Sequence, residues 1–463
     1  MIVVAIVVAI VVAIADRHAG KVVASHVAVV TVAVIGEATA PAVKVVMAIG
    51  RAVKVVAMET VRAAKAVATA TGRAVVAVSA VRGASSTELR RAAHHCKRAA
   101  VNASGSHQAS GFGGFRLPGS CVATGVGADV GRTILLAALT SFALALVIVR
   151  LLCTERLARL VVDIPNNRSL HSVPTPRTGG VGLMLAAALA WLGFGASALP
   201  TMAALTGLLA LIFLIDDVRG LPVLPRFGAQ FAVAIAFVAV SGPYPPLLMP
   251  LLVLGIVWVC NLYNFMDGSN GFAGGTTVFG FASYAIAAHL AGAADIALVA
   301  AIVAGAAAGF LMWNFDPARI FLGDAGSIPL GFLAAAIGVI GWSRGLWPFW
   351  LPPLVFAPFV IDSTVTLVQR AQRREKLWQP HRTHYYQRLV QSGWSHRRLA
   401  LSAYAVMATA SASGLLLRKA HPVAVIALLM FWSAVFAWIA LAIDRRWARF
   451  RAGKPTELSS AKK

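Results

Sequence analysis

The chain has 463 residues, of which 59% are hydrophobic and only 13% charged, with a mean hydropathy of +0.78. Soluble domains carry about a quarter charged residues, so an ordinary soluble protein is excluded; the apolar runs do not alternate with polar residues, which excludes a β-barrel. The net charge of +24 is not gathered in a basic helix or an aromatic-interleaved patch, which excludes nucleic acid as a partner and suits basic loops on one side of a membrane.

Residues 1–132 are Val/Ala-rich with scattered Lys and Arg. Met1–Ala15 is apolar but too short to span a bilayer, and no basic segment precedes it. Ser104–Gly127 is rich in Gly and Ser and reads as linker. This low-complexity extension is an appended region, an amphipathic surface layer or a mistranslated upstream stretch with a start near Val130; the last is favoured, and no function is assigned to it. The four cysteines (Cys96, Cys121, Cys153, Cys260) have neither disulfide nor metal-site spacing, and His94-His95-Cys96 reads as an accidental cluster.

From Arg132 onward, apolar runs of about 17–22 residues recur, long enough to cross a hydrocarbon core. They predict an all-α polytopic membrane protein with about eleven spans, at 133–153, 179–197, 199–215, 228–241, 245–262, 272–291, 295–312, 327–343, 346–368, 399–417 and 422–443. If connections alternate sides, the loops at 154–178, 216–227, 263–271, 313–326 and 369–398 share a face with a basic tail over 448–463. That face holds most of the Arg and Lys of the membrane region, so the positive-inside rule puts it in the cytosol.

Five polar islands fall on that face. Asp163–Gly180 contains Arg168, His171 and Arg177, donors suited to phosphate, among prolines that prevent a helix. Asp216-Asp217 ends the third span, where the helix dipole disfavours two carboxylates unless a cation is near. Asn261–Gly271 places Asn264, Asp267 and Asn270, with glycines, ahead of a helix N-terminus able to take phosphate. Asn314–Ser327 adds Arg319, Phe321 and Asp324, and Phe321 could stack on a base. Pro380–Leu389 supplies His381, Arg382, His384 and Arg388, whose positive context favours phosphate contacts over metal ligation.

These islands, in this order, resemble the polyprenyl-phosphate N-acetylhexosamine-1-phosphate transferases (glycosyltransferase family 4) over roughly Thr133–Trp447. The resemblance implies a cytosolic-face site that moves sugar-1-phosphate from a UDP-N-acetylhexosamine to undecaprenyl phosphate, releasing UMP. It implies Mg2+, with Mn2+ as an alternative, and a home in the bacterial inner membrane, with a homodimer as one candidate assembly. Carried over by motif, Asp324 is the main metal ligand. Asp216 orients or deprotonates the lipid phosphate or touches the metal, and Asp217 and Asp267 support metal and nucleotide phosphates. Asn264, Asn314 and Phe321 fall around the uridine; His381, Arg382 and His384 hold sugar or pyrophosphate; Asn270, Arg319 and Arg177 complete the substrate set. Asn270 stands where the family usually has an aspartate. The fifth island lacks the His-rich, acid-terminated run of the muramoyl-pentapeptide branch and looks more like the O-antigen and capsule-initiating branch. A transporter is the competing class, but transport sites tend to lie at mid-membrane rather than on one face.

Overall fold

The computed structural model describes residues 120–154, 161–163, 174–195, 199–376, 379 and 381–452, with side chains from residue 129. The sequence expectations for residues 1–119, and those for Arg168 and His171, lie outside the described residues. By internal contacts the chain forms two units, Met1–Gly125 and Val126–Lys463; the helices below, from Val126 onward, build the second.

The helices are α1 (Ser120–Leu152), α2 (Gly179–Gly195), α3 (Pro200–Arg219), α4 (Val223–Ser241), α5 (Leu248–Phe265), α6 (Phe272–Leu290) and α7 (Ala294–Asn314). They continue with α8 (Asp324–Ser343), α9 (Leu351–Val355), α10 (Ala357–Gln372), α11 (Tyr385–Gln391), α12 (His396–Leu417) and α13 (Pro422–Ala452). In hydrocarbon every backbone polar group must be satisfied within its own segment, so runs of Ala, Leu, Val and Ile become helices. A two-stranded antiparallel ribbon, β1 (Val162–Asp163) with β2 (Thr175–Pro176), precedes α2 and pairs Asp163 with Thr175.

Among the described residues eight helices are long and apolar enough to cross a membrane: α3, α4, α5, α7, α8, α12, α13 and the Asp129–Leu152 part of α1. The chain is thus an all-α, multi-pass membrane protein. Of the other predicted spans, α2 has only 17 residues, and α6 is 19 residues diluted by Gly, Thr and His. The predicted span 346–368 is not one helix. It breaks at Phe356 between α9 and α10, both of which carry proline in their first turn, and α10 buries Asp362, Ser363, Thr366 and Arg370. The fourth span starts five residues earlier than predicted, at Val223, and α13 runs on into the basic tail as far as Ala452, the rest of that tail lying outside the described residues.

The core is centred on α8, whose apolar window is 83% buried, against 11% for α13 at the periphery. α8 packs against α5, α3 and α2, and α6 packs against α7. A second cluster, with Leu354, Ala357, Ala410, Leu428, Trp432 and Phe436, joins α9, α10, α12 and α13. The starts of α2 and α8 approach closely because Gly180 and Gly326 face each other, with no room for a Cβ on either. That contact lets Gly179 and Gly180 donate to the Phe321 and Leu322 carbonyls at 2.9 and 2.7 Å, binding the first island to the fourth.

Candidate active site

The C-terminus of α3, the N-termini of α4 and α8, the C-terminus of α5 and the β2–α2 turn meet at one end of the bundle. α3 ends because Gly220 takes a left-handed conformation (φ 66°) and donates to the Asp216 carbonyl, a glycine C-cap. Asp216 and Asp217 therefore sit in the last turn, their side chains 4% and 3% exposed. Asp217 crosses to α8 and accepts the backbone N–H groups of Asp324 (3.2 Å) and Ala325 (2.9 Å). Both are first-turn donors that α8 cannot satisfy itself, and the positive end of its dipole favours the carboxylate. Gly323, before α8, has a φ of 72°, and a Cβ there would meet the Arg177 carbonyl and the Asp217 carboxylate. Glycine is required for both reasons.

Two guanidiniums bridge the acids. Arg226, in the first turn of α4, reaches Asp216 at 2.9 Å and Asp324 at 2.7 Å. Arg177 reaches Asp324 at 3.2 Å and Asp217 at 3.6 Å. Asn264 donates to Asp324 (2.7 Å) and to Ser327 (3.1 Å). Burial would lower the proton affinity of Arg177, but Asp324, Asp217, Asp163 and Asp267 around it more than reverse this and raise its pKa. Asp267, partly buried between α5 and α6, has its carboxyl pushed well above the usual range by desolvation. Arg177 and the Gly323 backbone oppose that shift, while Asp324 and Asp217 add to it.

Even with Asp267 left out because burial favours its protonated form, Asp216, Asp217 and Asp324 outnumber Arg177 and Arg226, which leaves excess negative charge on hard oxygen donors. That donor set fits a divalent cation such as Mg2+, which takes one or two carboxylates together with substrate phosphates. Asp216 Oδ2 supports the fit: it lies 2.9 Å from Arg226 Nε, yet it is buried and receives no hydrogen bond. Asp216 and Asp324 would hold the ion, whereas Asp217 has both oxygens engaged by α8. Among the described residues no three acid, histidine or cysteine side chains already enclose a metal position.

The fifth island lies at the same end. Asp362 of α10 accepts from the backbone N–H groups of Tyr385 and Tyr386, both at 2.9 Å, and its Oδ1 lies 3.1 Å from His384 Nδ1. His384 is buried and is the N-cap of α11. His381 stacks on it at 4.7 Å and is bonded by the Thr383 hydroxyl at 2.9 Å. Desolvation, with His384 and Arg370 nearby, lowers the His381 pKa to about 4, so its ring is neutral at physiological pH. Tyr386 donates to the Phe265 carbonyl at 3.1 Å, tying this histidine corner to the end of α5 beside Asn264 and Asp267.

The structure thus brings Arg177, Asp216, Asp217, Asn264, Asp267 and Asp324 together. His381 and His384 form a neighbouring corner, and Arg382 is exposed there with its carbonyl accepting from Gln391. Asn314 is buried and joins two loops, accepting from Gly271 N–H (3.0 Å) and donating to the Ile320 carbonyl (2.9 Å), so both ends of its amide serve backbone. Asn270 donates to Asp316 at 2.9 Å; an aspartate there would set two carboxylates against each other. Arg319 packs over Trp313, as does Arg150 of α1 (5.6 and 5.4 Å). Phe321 is partly buried, and its backbone holds β2 through Pro176 and α2 through Gly179. Sequence reasoning missed two residues. Arg226 reads as one basic loop residue among several. Asp362 lies inside a predicted span, and an ionisable residue there was itself a functional signal.

The glycosyl transferase family 4 profile matches residues 199–342, which hold both α3 carboxylates, the α5–α6 loop and the start of α8. A probable undecaprenyl-phosphate N-acetylglucosaminyl 1-phosphate transferase of Bacillus subtilis (strain 168) is 30% identical over 278 residues, covering 56% of this chain and 78% of the relative. A decaprenyl-phosphate N-acetylglucosaminephosphotransferase of Mycolicibacterium smegmatis is 30% identical over 291 residues, covering 52% and 72%. A phospho-N-acetylmuramoyl-pentapeptide-transferase of Halalkalibacterium halodurans is 29% identical over 186 residues, covering 40% and 55%. With its acids and arginines gathered at helix ends, and with relatives matched over most of their length, the chain belongs to glycosyl transferase family 4, the polyprenyl-phosphate N-acetylhexosamine-1-phosphate transferases.

Proposed function

We propose that this transferase moves N-acetylhexosamine-1-phosphate from a UDP-linked donor onto undecaprenyl phosphate at the cytosolic face of a bacterial inner membrane, starting a lipid-linked cell-surface glycan. The observation that carries the reading is the convergence of Asp216, Asp217, Asp267 and Asp324 with Arg177 and Arg226 at one end of a membrane bundle. A water-soluble nucleotide sugar and a lipid phosphate can meet only at such an edge. The relatives named for N-acetylglucosamine transfer favour UDP-N-acetylglucosamine as donor.

In the reaction an oxygen of the lipid phosphate attacks the sugar-linked phosphorus of the donor. The bond from that phosphorus to the bridging oxygen breaks, and its electron pair leaves with UMP. Such a transfer needs positioning and charge neutralisation more than covalent chemistry. Mg2+ bound by Asp324 and Asp216 would neutralise pyrophosphate charge. Arg177 and Arg226 hold phosphate oxygens through guanidinium forks. Asn264 and the Asp217-capped start of α8 fix the Asp324 carboxylate. The neutral imidazole of His381 donates or accepts at the sugar or pyrophosphate, and Arg382 lends an exposed cation beside it. Direct attack is preferred over a covalent aspartyl intermediate because the acceptor phosphate is already an anionic nucleophile.

The test incubates purified protein with radiolabelled UDP-N-acetylglucosamine and related donors, undecaprenyl phosphate and Mg2+. Release of UMP with transfer of label to the lipid phase is expected, abolished by chelation. Absence of both with every donor would overturn the reading.

A further inference from the structure

The last of the described helices carries a feature that phosphate transfer does not use. α13 has 31 residues, roughly 46 Å at about 1.5 Å per residue, whereas about 20 residues suffice to cross the hydrocarbon. Its C-terminal part therefore extends to headgroup level, at the same end of the bundle as the carboxylates. Asp444 is bound there by Arg388 at 2.7 Å, and Arg446 bonds the Ser392 hydroxyl at 2.9 Å and the Ser392 carbonyl at 2.5 Å.

Between α13 and Ser392 lies a groove of about 620 Å³. Its α13 lining is Trp438, Ala442, Arg445, Arg446, Arg449 and Phe450, positions that share one helical stripe. The membrane-ward end is apolar, with Trp438 70% exposed. The other end holds three guanidiniums. Arg446 is tied to Ser392, and Arg445 and Arg449 are exposed with no carboxylate partner among the described residues. An apolar slot leading from the bilayer to a cluster of exposed arginines matches a lipid whose head is a phosphate. A soluble anion would have no use for the Trp438 end.

We propose that this groove binds the phosphate headgroup of an anionic glycerophospholipid, its acyl chain along Trp438 and Ala442 and its phosphate between Arg445 and Arg449. The arginines also meet the general attraction of anionic membrane surfaces for basic juxtamembrane residues.

The test is native mass spectrometry of the delipidated full chain titrated with phosphatidylglycerol or phosphatidylcholine. Wild type is expected to retain the anionic lipid about tenfold more than the zwitterionic one. Arg445→Gln/Arg449→Gln should bring the two within about twofold, and Arg445→Lys/Arg449→Lys should restore most of the preference. Ala442→Trp, which fills the apolar end, should weaken retention of both lipids. Sugar-phosphate transfer in detergent should be unchanged in the glutamine pair, which also shows that it folds. Equal retention of the two lipids by wild type, or an unaltered preference in the glutamine pair, overturns the proposal. Displacement of phosphatidylglycerol by millimolar inorganic phosphate would make the groove an anion site. Displacement by a prenyl phosphate at lower concentration would make it a path for the acceptor. Either result overturns the lipid assignment.

Discussion

Asp217 and Asp362 make the same local bonds in two different surroundings. Each crosses from its own helix to another and accepts two first-turn backbone N–H groups: Asp217 from Asp324 and Ala325 of α8, Asp362 from Tyr385 and Tyr386 of α11. In both, a carboxylate fixes a helix start by meeting its unsatisfied donors and its dipole. What that start presents differs. At α8 it is Asp324, an anion facing Arg177 and Arg226. At α11 it is His384, with His381 stacked on it and kept neutral. One device thus builds an acidic corner bridged by two arginines, and beside it a corner of two stacked histidine rings, of which His381 is held neutral.

The largest effect should come from the charged corner. Asp324→Asn keeps the shape and the bond from Asn264 but removes the charge that pairs with both arginines. Turnover is expected to fall about 10²–10³-fold, the range for losing a group that stabilises developing charge, with little change in melting temperature. Near-normal UMP release would show that the reaction is not centred there.

Asp362→Asn attacks the other corner. The amide can accept one of the two N–H groups but turns its own N–H toward the other, and it loses the anion beside His384. Loss of a helix cap costs about 0.5–2 kcal/mol, so the melting temperature should drop. Turnover should fall about 10–100-fold, as when an orienting partner of a functional histidine is lost. Mn2+ binding, followed by electron paramagnetic resonance, should stay as in wild type. If metal binding fell in step with turnover, the two corners would be one site and the contrast would fail.

Arg226→Ala sharpens the contrast from the charged side. Arg226 bridges Asp216 and Asp324 at 2.9 and 2.7 Å and competes with any cation that needs them. Removing a positive charge within about 4 Å of a cation site strengthens the site substantially at the effective dielectric of a protein edge. Mn2+ should bind about tenfold tighter while transfer slows. Unchanged Mn2+ affinity would place the ion elsewhere.

Much of the charged corner is legible in the sequence, because a carboxylate in a chain this apolar has few reasons to exist at a membrane edge other than function. Asp216, Asp217, Asp267 and Asp324 stand out for that reason. Arg226 does not: its role arises only when the α3–α4 turn folds it back onto Asp216, and its neighbours look equally basic. Asp362 is hidden by the apolar run around it, and the prolines that break that run at Phe356 are not distinctive enough to reveal a short α9 and a polar α10. Asn314 differs again. The family resemblance sets it near the uridine, and the fold shows that its amide also staples the Gly271 N–H to the Ile320 carbonyl. Motif order says which residues gather, but only packing says which face the ligand and which hold the loops.

The smallest predicted effect separates the corners by pH. His381 has a folded pKa of about 4, below the ordinary histidine value, because burial and the neighbouring His384 and Arg370 disfavour its cation. Well above the ordinary value of about 6.5 the ring is neutral in both folded and unfolded chains and adds no pH dependence. Between about 6.5 and 4 the unfolded chain takes up a proton that the folded one refuses, so stability falls as pH falls through that window. His381→Gln cannot take up that proton. Its melting temperature should therefore decline less than that of wild type between pH 6.5 and 4.5, with the two curves parallel above pH 7. Parallel curves throughout would mean that the ring carries charge, and the second corner would then differ from the first only in sign, not in kind.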